Sequence, residues 1–581
     1  MQRIAWFTAA ALAACSSSPS PRGPTATGSG AGTASGAGTG ATDAVPAAPP
    51  ARVGDACAPD RERPQSTCPD GTLCAPLPGG YCTAQCTVTD CPTGSVCVPT
   101  GRMGDLCAAA CQNDADCRAD QGYVCDPGRH VCLLPFVASP SLAECPDEAS
   151  PPPAPPRRRG FPPPLANFAP MEVLTSAQSP GAYQFEPAAT VTPAGDLVIL
   201  TSGGATSFMD PSFLDVIRVP ASGAPVEQPL ATGKRMHFDP WLTTDRRGTV
   251  HAVWLGHDGG GVDANAEIGY ARSTDGGATW STPVAIHDPA DCPPDTPFCL
   301  DKPMIAAGPA PGKGKPRGDA VHVFYTAGED EDGGMKLRTS VDGGATWGPS
   351  VKVIDGAYGD VAIDRGGGIH VAVAQATPMG PAAWGSPDNR VVYTRSTDGK
   401  TFSPPVAVSG PGESIPFYFV NPSVVTNATG RTVHVAYAAG TPDGKWNIML
   451  ATSRDGGATW QRRTLVGTDP ACANHAVPEL AMRPRGGLVV SWYEYAGGAA
   501  YRAYTTCTAD GATCARPTPL GPPMATYELV RHSPRWVGEY AGLIADEAHH
   551  RLHAVWTQVV GDTPRGAARI VHTSAPLGPD R

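Results

Sequence analysis

The chain has 581 residues, with 68 glycines, 64 prolines and a formal net charge of -11. That length exceeds one ordinary domain, and the glycine and proline content commits much of it to turns and linkers. An acidic chain without a long basic run is a poor nucleic-acid binder, and no apolar stretch is long enough to span a bilayer.

The N-terminal residues MQRIAWFTAAALAACSSSPS place Arg3 ahead of a short apolar run, Ile4 to Ala14. This pattern predicts a secretion signal rather than a membrane helix. Leu12 to Cys15 (LAAC) resembles the lipobox of bacterial lipoproteins. The resemblance implies a signal over residues 1–15, lipidation at Cys15, export across the inner membrane, and an anchor in the cell envelope or at the outer surface. Residues 16–53, almost all Ser, Gly, Ala, Thr and Pro, cannot bury a core and read as a flexible tether.

Thirteen of the 19 cysteines fall between Cys57 and Cys145. Two units stand out, CTAQCTVTDCPTGSVC from Cys82 and CAAACQNDADCRADQGYVC from Cys107. With few large apolar side chains, residues 54–145 need bridges to hold together and read as a disulfide-rich module of an oxidising compartment. Zinc is the competing reading. The absence of C-x2-C spacing and the near absence of histidine weigh against it, so no metal is expected. Residues 146–166, rich in proline, form a semi-rigid spacer.

Residues 167–581 carry a long-period repeat. GDLVIL, GTVHAVW, DAVHVFY, GGIHVAV, RTVHVAY, GGLVVSW and HRLHAVW begin at Gly195, Gly248, Asp319, Gly367, Arg431, Gly486 and His550. Each is a β-branched or aromatic run after a turn signal, and so a strand. Seven such strands, roughly 50–70 residues apart with further strands between them, predict an all-β propeller. Seven blades are expected, with six as the alternative. Because the last repeat has only three strands, Met171 to Ser176 is expected to supply its fourth and close the ring.

A second phrase recurs between strands three and four: RSTDGGATWS from Arg272, TSVDGGATWG from Thr339, RSTDGKTFS from Arg395 and TSRDGGATWQ from Thr452. Its pattern resembles the Asp-box, or BNR repeat, of sialidases and related propellers. The resemblance marks Asp275, Trp280, Asp342, Trp347, Asp398, Asp455 and Trp460 as structural residues, on the face opposite an active site. Asp275 accepts bonds from its own turn, glycines supply positive φ, and Trp280 is expected to enter the last strand of the blade and bury its ring against the blade. A degenerate copy, CTADGATC, has Cys507 and Cys514 where Ser and Trp would stand, which predicts a bridge between them. A bridge is also expected between Cys292 and Cys299, which bracket a proline-containing loop, leaving Cys472 without a local partner. Five strand-two histidines (His251, His322, His370, His434, His553) hold one repeat position in different blades. They are therefore read as packing rather than as a cluster.

The resemblance does not reach the sialidase active site. On the first inner strand Gln184 and Phe185 stand where an Arg-Ile pair would, and only Pro187 matches. In SWYEY (Ser491 to Tyr495) the adjacent Tyr and Glu side chains point to opposite faces of a strand. Blade topology supplies the candidates instead. Starts of inner strands and loops between strands two and three share the face opposite the Asp-box turns. That face carries His237, Asp239, Trp241, His475, Glu479, Arg535, Glu539 and Tyr540 as candidate ligand-binding residues. The acidic run Gly328 to Gly334 lacks regular calcium spacing and reads as a solvated loop. The sequence-based expectation is a monomeric, lipid-anchored surface protein without a cofactor, whose sialidase-like propeller binds a glycan or protein. A divergent exo-α-sialidase-type hydrolase and a non-catalytic structural protein are the alternatives.

Overall fold

The computed structural model describes residues within 52–133 and 168–577, apart from a number of interstrand segments. The signal with Cys15, the tether, the proline-rich spacer, Cys145, Cys472, Arg535 and residues 329–333 lie outside the described residues.

Seven four-stranded antiparallel sheets make up the larger part, each a meander of neighbouring strands. Blade 2 shows the plan: Met236–Thr244, Val250–His257, Glu267–Ser273 and Val284–Ala285. The first strands of successive blades neighbour one another right round the molecule, and that of blade 7 (Gly542–Asp546) meets that of blade 1 (Tyr183–Val191). The protein is therefore a seven-bladed β-propeller whose first strands line the axis.

The second strands explain why the runs HAVW, HVFY and HVAY carry no polar alternation. Val250–His257 and Asp319–Ala327 are buried along their whole length. A strand inside a blade has a neighbouring blade on each face, so both sets of side chains are buried. The apolar clusters cross blade boundaries accordingly. Leu200 and Val216 of blade 1 pack with Val250 and Trp254 of blade 2. Leu197 and Ile199 of blade 1 pack with Val555 and Ile570 of blade 7. Each such side chain contributes roughly 1.5–3 kcal/mol by leaving water.

Blade 7 is completed from the other end of the described chain. Glu172–Val173 pairs with Ala567–Pro576, with Val173 opposite Val571 and Glu172 opposite His572. The Leu174 amide donates to the Ile570 carbonyl at 2.9 Å, and the Ala169 amide to the Ser574 carbonyl at 2.9 Å.

The repeated aspartate turns share one bonding scheme. The Ser273 hydroxyl donates to Asp275 Oδ1 at 2.7 Å and accepts from the Gly277 amide at 2.8 Å. Asp275 also accepts from the Thr279 amide at 2.8 Å and the Thr279 hydroxyl at 2.6 Å. Turns 340–347 and 453–460 repeat this. Desolvation acts to raise the Asp275 carboxyl and is the largest single effect, but the turn's hydrogen bonds together outweigh it and hold the group down to about 2. Trp280 departs from its expected place. It precedes the fourth strand rather than entering it, and packs with the cluster that contains Leu200 and Val216 of the preceding blade. Trp347 likewise meets Tyr270 of blade 2 edge-on at 5.1 Å, and Trp460 meets Tyr393 of blade 4 at 5.2 Å. Arg218 of blade 1 donates to the Gly276 carbonyl at 3.0 Å. Each turn therefore fastens its own blade to the one before, because a ring exposed beyond its own sheet finds apolar cover on the neighbour.

The five histidines each bond within their own blade. His251 shares a hydrogen bond with the Tyr270 hydroxyl at 2.8 Å, His370 with that of Tyr393 at 2.6 Å, and His322 and His434 with Thr339 and Thr452 at 3.0 and 2.9 Å. His553 meets His572 at 3.1 Å. They tie strand two to strand three and do not converge.

Cys507 is bonded to Cys514 across the degenerate turn, where Asp510 accepts from the Thr508 hydroxyl at 2.6 Å. Cys292 is bonded to Cys299 between blades 2 and 3. The N-terminal module consists of three two-stranded hairpins among its described residues. Bridges Cys68–Cys82, Cys86–Cys97, Cys91–Cys107, Cys111–Cys125 and Cys117–Cys132 hold them, and Cys57 is bonded as well. Tyr81 and Tyr123 stack at 5.2 Å under the Arg118 guanidinium, which is a small core for so long a segment.

Asp275→Asn keeps the turn's shape and weakens its charge-assisted bonds. The expected loss is about 1 kcal/mol of stability in a urea titration, the group being exposed, with ligand binding unchanged. A tenfold loss of affinity at unchanged stability would instead make the turn a binding site.

Candidate functional site

Four inner strands share one irregularity near their start. Glu186, Asp239, Lys302 and Val477 each precede a proline, and each has positive φ, at 56°, 51°, 46° and 54°. The register slips at each place, between Phe185 and Ala188, Phe238 and Trp241, Asp301 and Met304, and Ala476 and Glu479. A proline cannot donate to the ladder, so it fits an inner strand only where the pairing is already broken. A left-handed, non-glycine residue before proline is costly, and such strain gathers at functional sites.

In an antiparallel meander the turns after strands one and three lie at one end of the blade. The first strands therefore begin at the other end, away from the aspartate turns. There the bulges turn three of their residues toward a common point. Lys302 Nζ donates to Asp239 Oδ1 at 2.5 Å and to Glu539 Oε2 at 2.7 Å. The same ammonium lies 5.1 Å from the centre of the Tyr358 ring. Carboxylate oxygens of Glu186, Asp239 and Glu539 lie within 4.8 Å of one another. All four residues are buried. Burial pushes the Asp239 carboxyl up to about 6; Lys302 opposes the shift, while Asp301 and Glu539 add to it.

Beside the cluster is a cavity of about 200 Å³, open solvent included, lined by Asp239, Trp241, Lys302, Asn421, Tyr540 and the backbone at Gly359. The Trp241 and Tyr540 rings stand 5.3 Å apart. The Tyr540 phenol is 2% exposed, and its oxygen has no hydrogen-bond partner among the described residues. Burial, reinforced by Glu186, Asp239, Glu539 and Asp301, holds that phenol well above its usual range, so it stays protonated.

A second polar network joins the inner strands of blades 4 to 7. Asp360 accepts from the Val424 amide at 2.8 Å and the Ser423 hydroxyl at 3.3 Å. Ser423 accepts from the Leu480 amide at 3.0 Å, and Glu479 from the Ala541 amide at 3.3 Å. Burial, then the nearby Asp360 carboxyl, pushes Glu479 up to about 8. Arg502 supports this side from beneath, donating to the Val477 carbonyl and the Ser491 hydroxyl, both at 2.9 Å, and lying over the Tyr493 ring.

Of the eight residues proposed from topology, Asp239, Trp241, Glu539 and Tyr540 meet at the cavity and its cluster. Glu479 belongs to the neighbouring network. His237 is not part of the cluster: it bonds the Ser212 carbonyl at 2.8 Å and the Thr232 hydroxyl, and burial brings it down to about 4. His475 sits apart against the Trp446 carbonyl at 3.1 Å, with Glu494 3.8 Å away. Ser212 and Thr232 hold His237, and the first residue of strand Trp446–Ser453 holds His475, because neither histidine occupies the bulged position that turns a side chain inward. Sequence reasoning missed Glu186 and Lys302. The recurring dipeptides Glu186-Pro187, Asp239-Pro240, Lys302-Pro303 and Val477-Pro478 are the signal that marks them.

No family profile matches this chain, and no curated protein does. Solved structures resemble it in fold. An α-L-arabinofuranosidase from Fusarium graminearum is 14% identical, with 60% of this chain and 95% of that one covered, at a TM-score of 0.39. The intramolecular trans-sialidase from Ruminococcus gnavus is 11% identical, covering 56% and 93%, at 0.40. A Dyadobacter fermentans protein of unknown function is 14% identical, covering 71% and 98%, at 0.39. At these identities and scores the likeness carries no argument about activity.

Glu479 holds its proton more tightly folded than unfolded. Its contribution to stability is therefore greatest below its ordinary value of 4.5 and is lost as pH rises to about 8. Glu479→Gln removes that slope. Urea midpoints at pH 5, 6.5 and 8 should fall more steeply for the native chain than for the variant, and parallel profiles would refute the assignment.

Proposed function

We propose that this chain is a surface lipoprotein whose propeller binds a ligand, a glycan or a protein, at the axial mouth where the inner strands begin. The observation that carries the reading is the convergence of Lys302, Asp239 and Glu186, on bulged strands that hold them in costly backbone conformations, with Glu539, beside Trp241 and Tyr540. A buried charge cluster is expensive to keep, and structural needs are already met elsewhere by the aspartate turns and the histidine pairs. The N-terminal resemblance to a lipobox supports an anchor at Cys15, with residues 16–53 as tether. The turns at Asp275, Asp342, Asp398 and Asp455 have the residue pattern of Asp-boxes, in keeping with a sialidase-like propeller.

One observation favours a second reading, glycoside hydrolysis. Such enzymes use paired carboxyls, one with a raised pKa, and retaining ones hold them about 5 Å apart. Asp239 is raised to about 6 and has Glu186 and Glu539 close by. The sialidase form of this reading fits poorly. A substrate carboxylate needs several guanidinium partners, and the described residues lining the cavity include no arginine.

A glycan array probed with the full chain, together with fluorogenic sialoside and neutral nitrophenyl glycosides, separates the readings. Array signal without turnover is the expected result. Turnover abolished by Asp239→Asn would establish a hydrolase, and silence in both assays would overturn the glycan form of the reading. Cys15→Ser is expected to abolish incorporation of labelled palmitate and release the protein from membranes; retained incorporation would overturn the anchor.

A further inference from the structure

We propose that Asp215 and Glu227 share one proton at the boundary between blades 7 and 1, and that this proton is a latch on the closure of the ring. The inference goes beyond the reading of the axial mouth and does not depend on what the mouth binds.

The strands bring the two carboxyls together. Phe213–Val219 and Val226–Leu230 are the third and fourth strands of blade 1, with Asp215 opposite Pro229 and Ile217 opposite Glu227. Residues paired across strands share a face, and so do residues two apart along a strand. Asp215, Ile217 and Glu227 therefore stand on one face, with the two carboxyls as diagonal neighbours. Ile217 packs with Leu174, Val555 and Ile570, so this is the face that meets blade 7.

Charge decides what the pair must do. Asp215 is 0% exposed, and neither of its carboxyl oxygens has a donor among the described residues. An ionised carboxyl there would lack both water and hydrogen bonds, which is costly. The Glu227 carboxyl is within hydrogen-bonding reach, and one acid proton between the two groups meets both needs. Arg569, on the third strand of blade 7, supplies a positive charge beside Glu227 and donates to the Gln184 side chain at 3.0 Å. Two carboxyls and one guanidinium balance when the pair keeps one proton.

The other elements packed here leave that balance intact among the described residues. The second strand of blade 1 sets Thr201 opposite Asp215, and the first strand contributes the neutral Gln184. Arg218, on the same strand as Asp215, turns away to the Gly276 carbonyl of blade 2. In blade 7, His572 is bonded to His553, and Glu172 lies exposed opposite His572.

The direction of the pH response follows. Burial, then the Glu227 carboxyl, pushes Asp215 from 3.8 up to about 7. A group that holds its proton more tightly in the folded chain contributes fully below its ordinary value and loses that contribution as pH rises through the raised one. The latch is closed in mild acid and weakens above neutrality, when two carboxylates face one guanidinium.

Hydrogen exchange of the full chain at pH 6 and pH 8, corrected for the intrinsic pH dependence of exchange, tests this on segments 172–175 and 567–576. With the raised value at about 7, opening of these segments should be about tenfold more frequent at pH 8. Asp215→Asn should abolish the difference, because its amide donates to Glu227 without titrating. Glu227→Gln should abolish it too, and it keeps the test open where Asp215→Asn fails to fold. Segment 319–327, between blades remote from this boundary, should open equally at both pH values. Equal opening of the boundary at both pH values in the native chain would overturn the latch. So would a tenfold difference that persists in both variants, or one that appears equally in segment 319–327.

Discussion

A ring of seven sheets is held only if the last sheet finds the first, and here the two ends of the propeller chain do this by sharing blade 7. Glu172–Val173 lies on Ala567–Pro576, and Leu174 joins Leu197, Ile199, Val555 and Ile570 in one apolar cluster. Without that pairing, blade 7 would expose an unpaired edge, and blade 1 would lose the neighbour that buries its face. Everything at the axis depends on it. The seven first strands neighbour one another right round the axis because no blade is free to swing outward. Glu539 and Tyr540, just ahead of the first strand of blade 7, reach past blade 1 to Lys302 of blade 3 and Trp241 of blade 2.

What repeats in this chain holds it together, and what varies at a repeated position is the candidate site. The aspartate turn answers the same physical need at successive boundaries: a tight reversal whose tryptophan finds cover on the blade before. The strand-two histidine answers another, joining strands two and three inside a blade. Both use nearly the same residues each time because each blade presents the same problem. The pre-proline bulge repeats as a backbone feature but not as a side chain. Glu, Asp, Lys and Val occupy it in blades 1, 2, 3 and 6. A common backbone device carrying different chemistry from blade to blade builds an asymmetric pocket inside a nearly symmetric ring.

The local architecture was legible because its signals are local. Strand runs, turn glycines, the Ser-x-Asp-x-Gly-x-Thr-Trp pattern and the two short cysteine loops each need only a few neighbouring residues. Half of the candidate residues were legible for a different reason: in a meander, chain direction alone says which loops share an end. That rule places a residue at the correct mouth but not at its centre. It therefore grouped His237 and His475 with Asp239 and Glu539, although the carbonyls of Ser212 and Trp446 hold the two histidines aside. It passed over Lys302, which in sequence is one charged residue among many.

The sequence by itself determined that residues 167–581 form a propeller, favoured seven blades over six, and determined the order of strands within them, the clasping turns and the disulfide-rich character of residues 54–145. These follow from periodicity, turn chemistry and cysteine density, which act over short stretches. Only the tertiary structure decided which blade each tryptophan covers, and which four charged groups meet. The Lys302–Glu539 contact spans 237 positions of chain, and no pattern in either segment names the other. It arises because ring closure brings blade 7 back beside blade 1, and because each bulge rotates one side chain toward the axis. The electrostatics follow from that meeting: burial raises the Asp239 carboxyl, Lys302 opposes that, and Asp301 and Glu539 add to it.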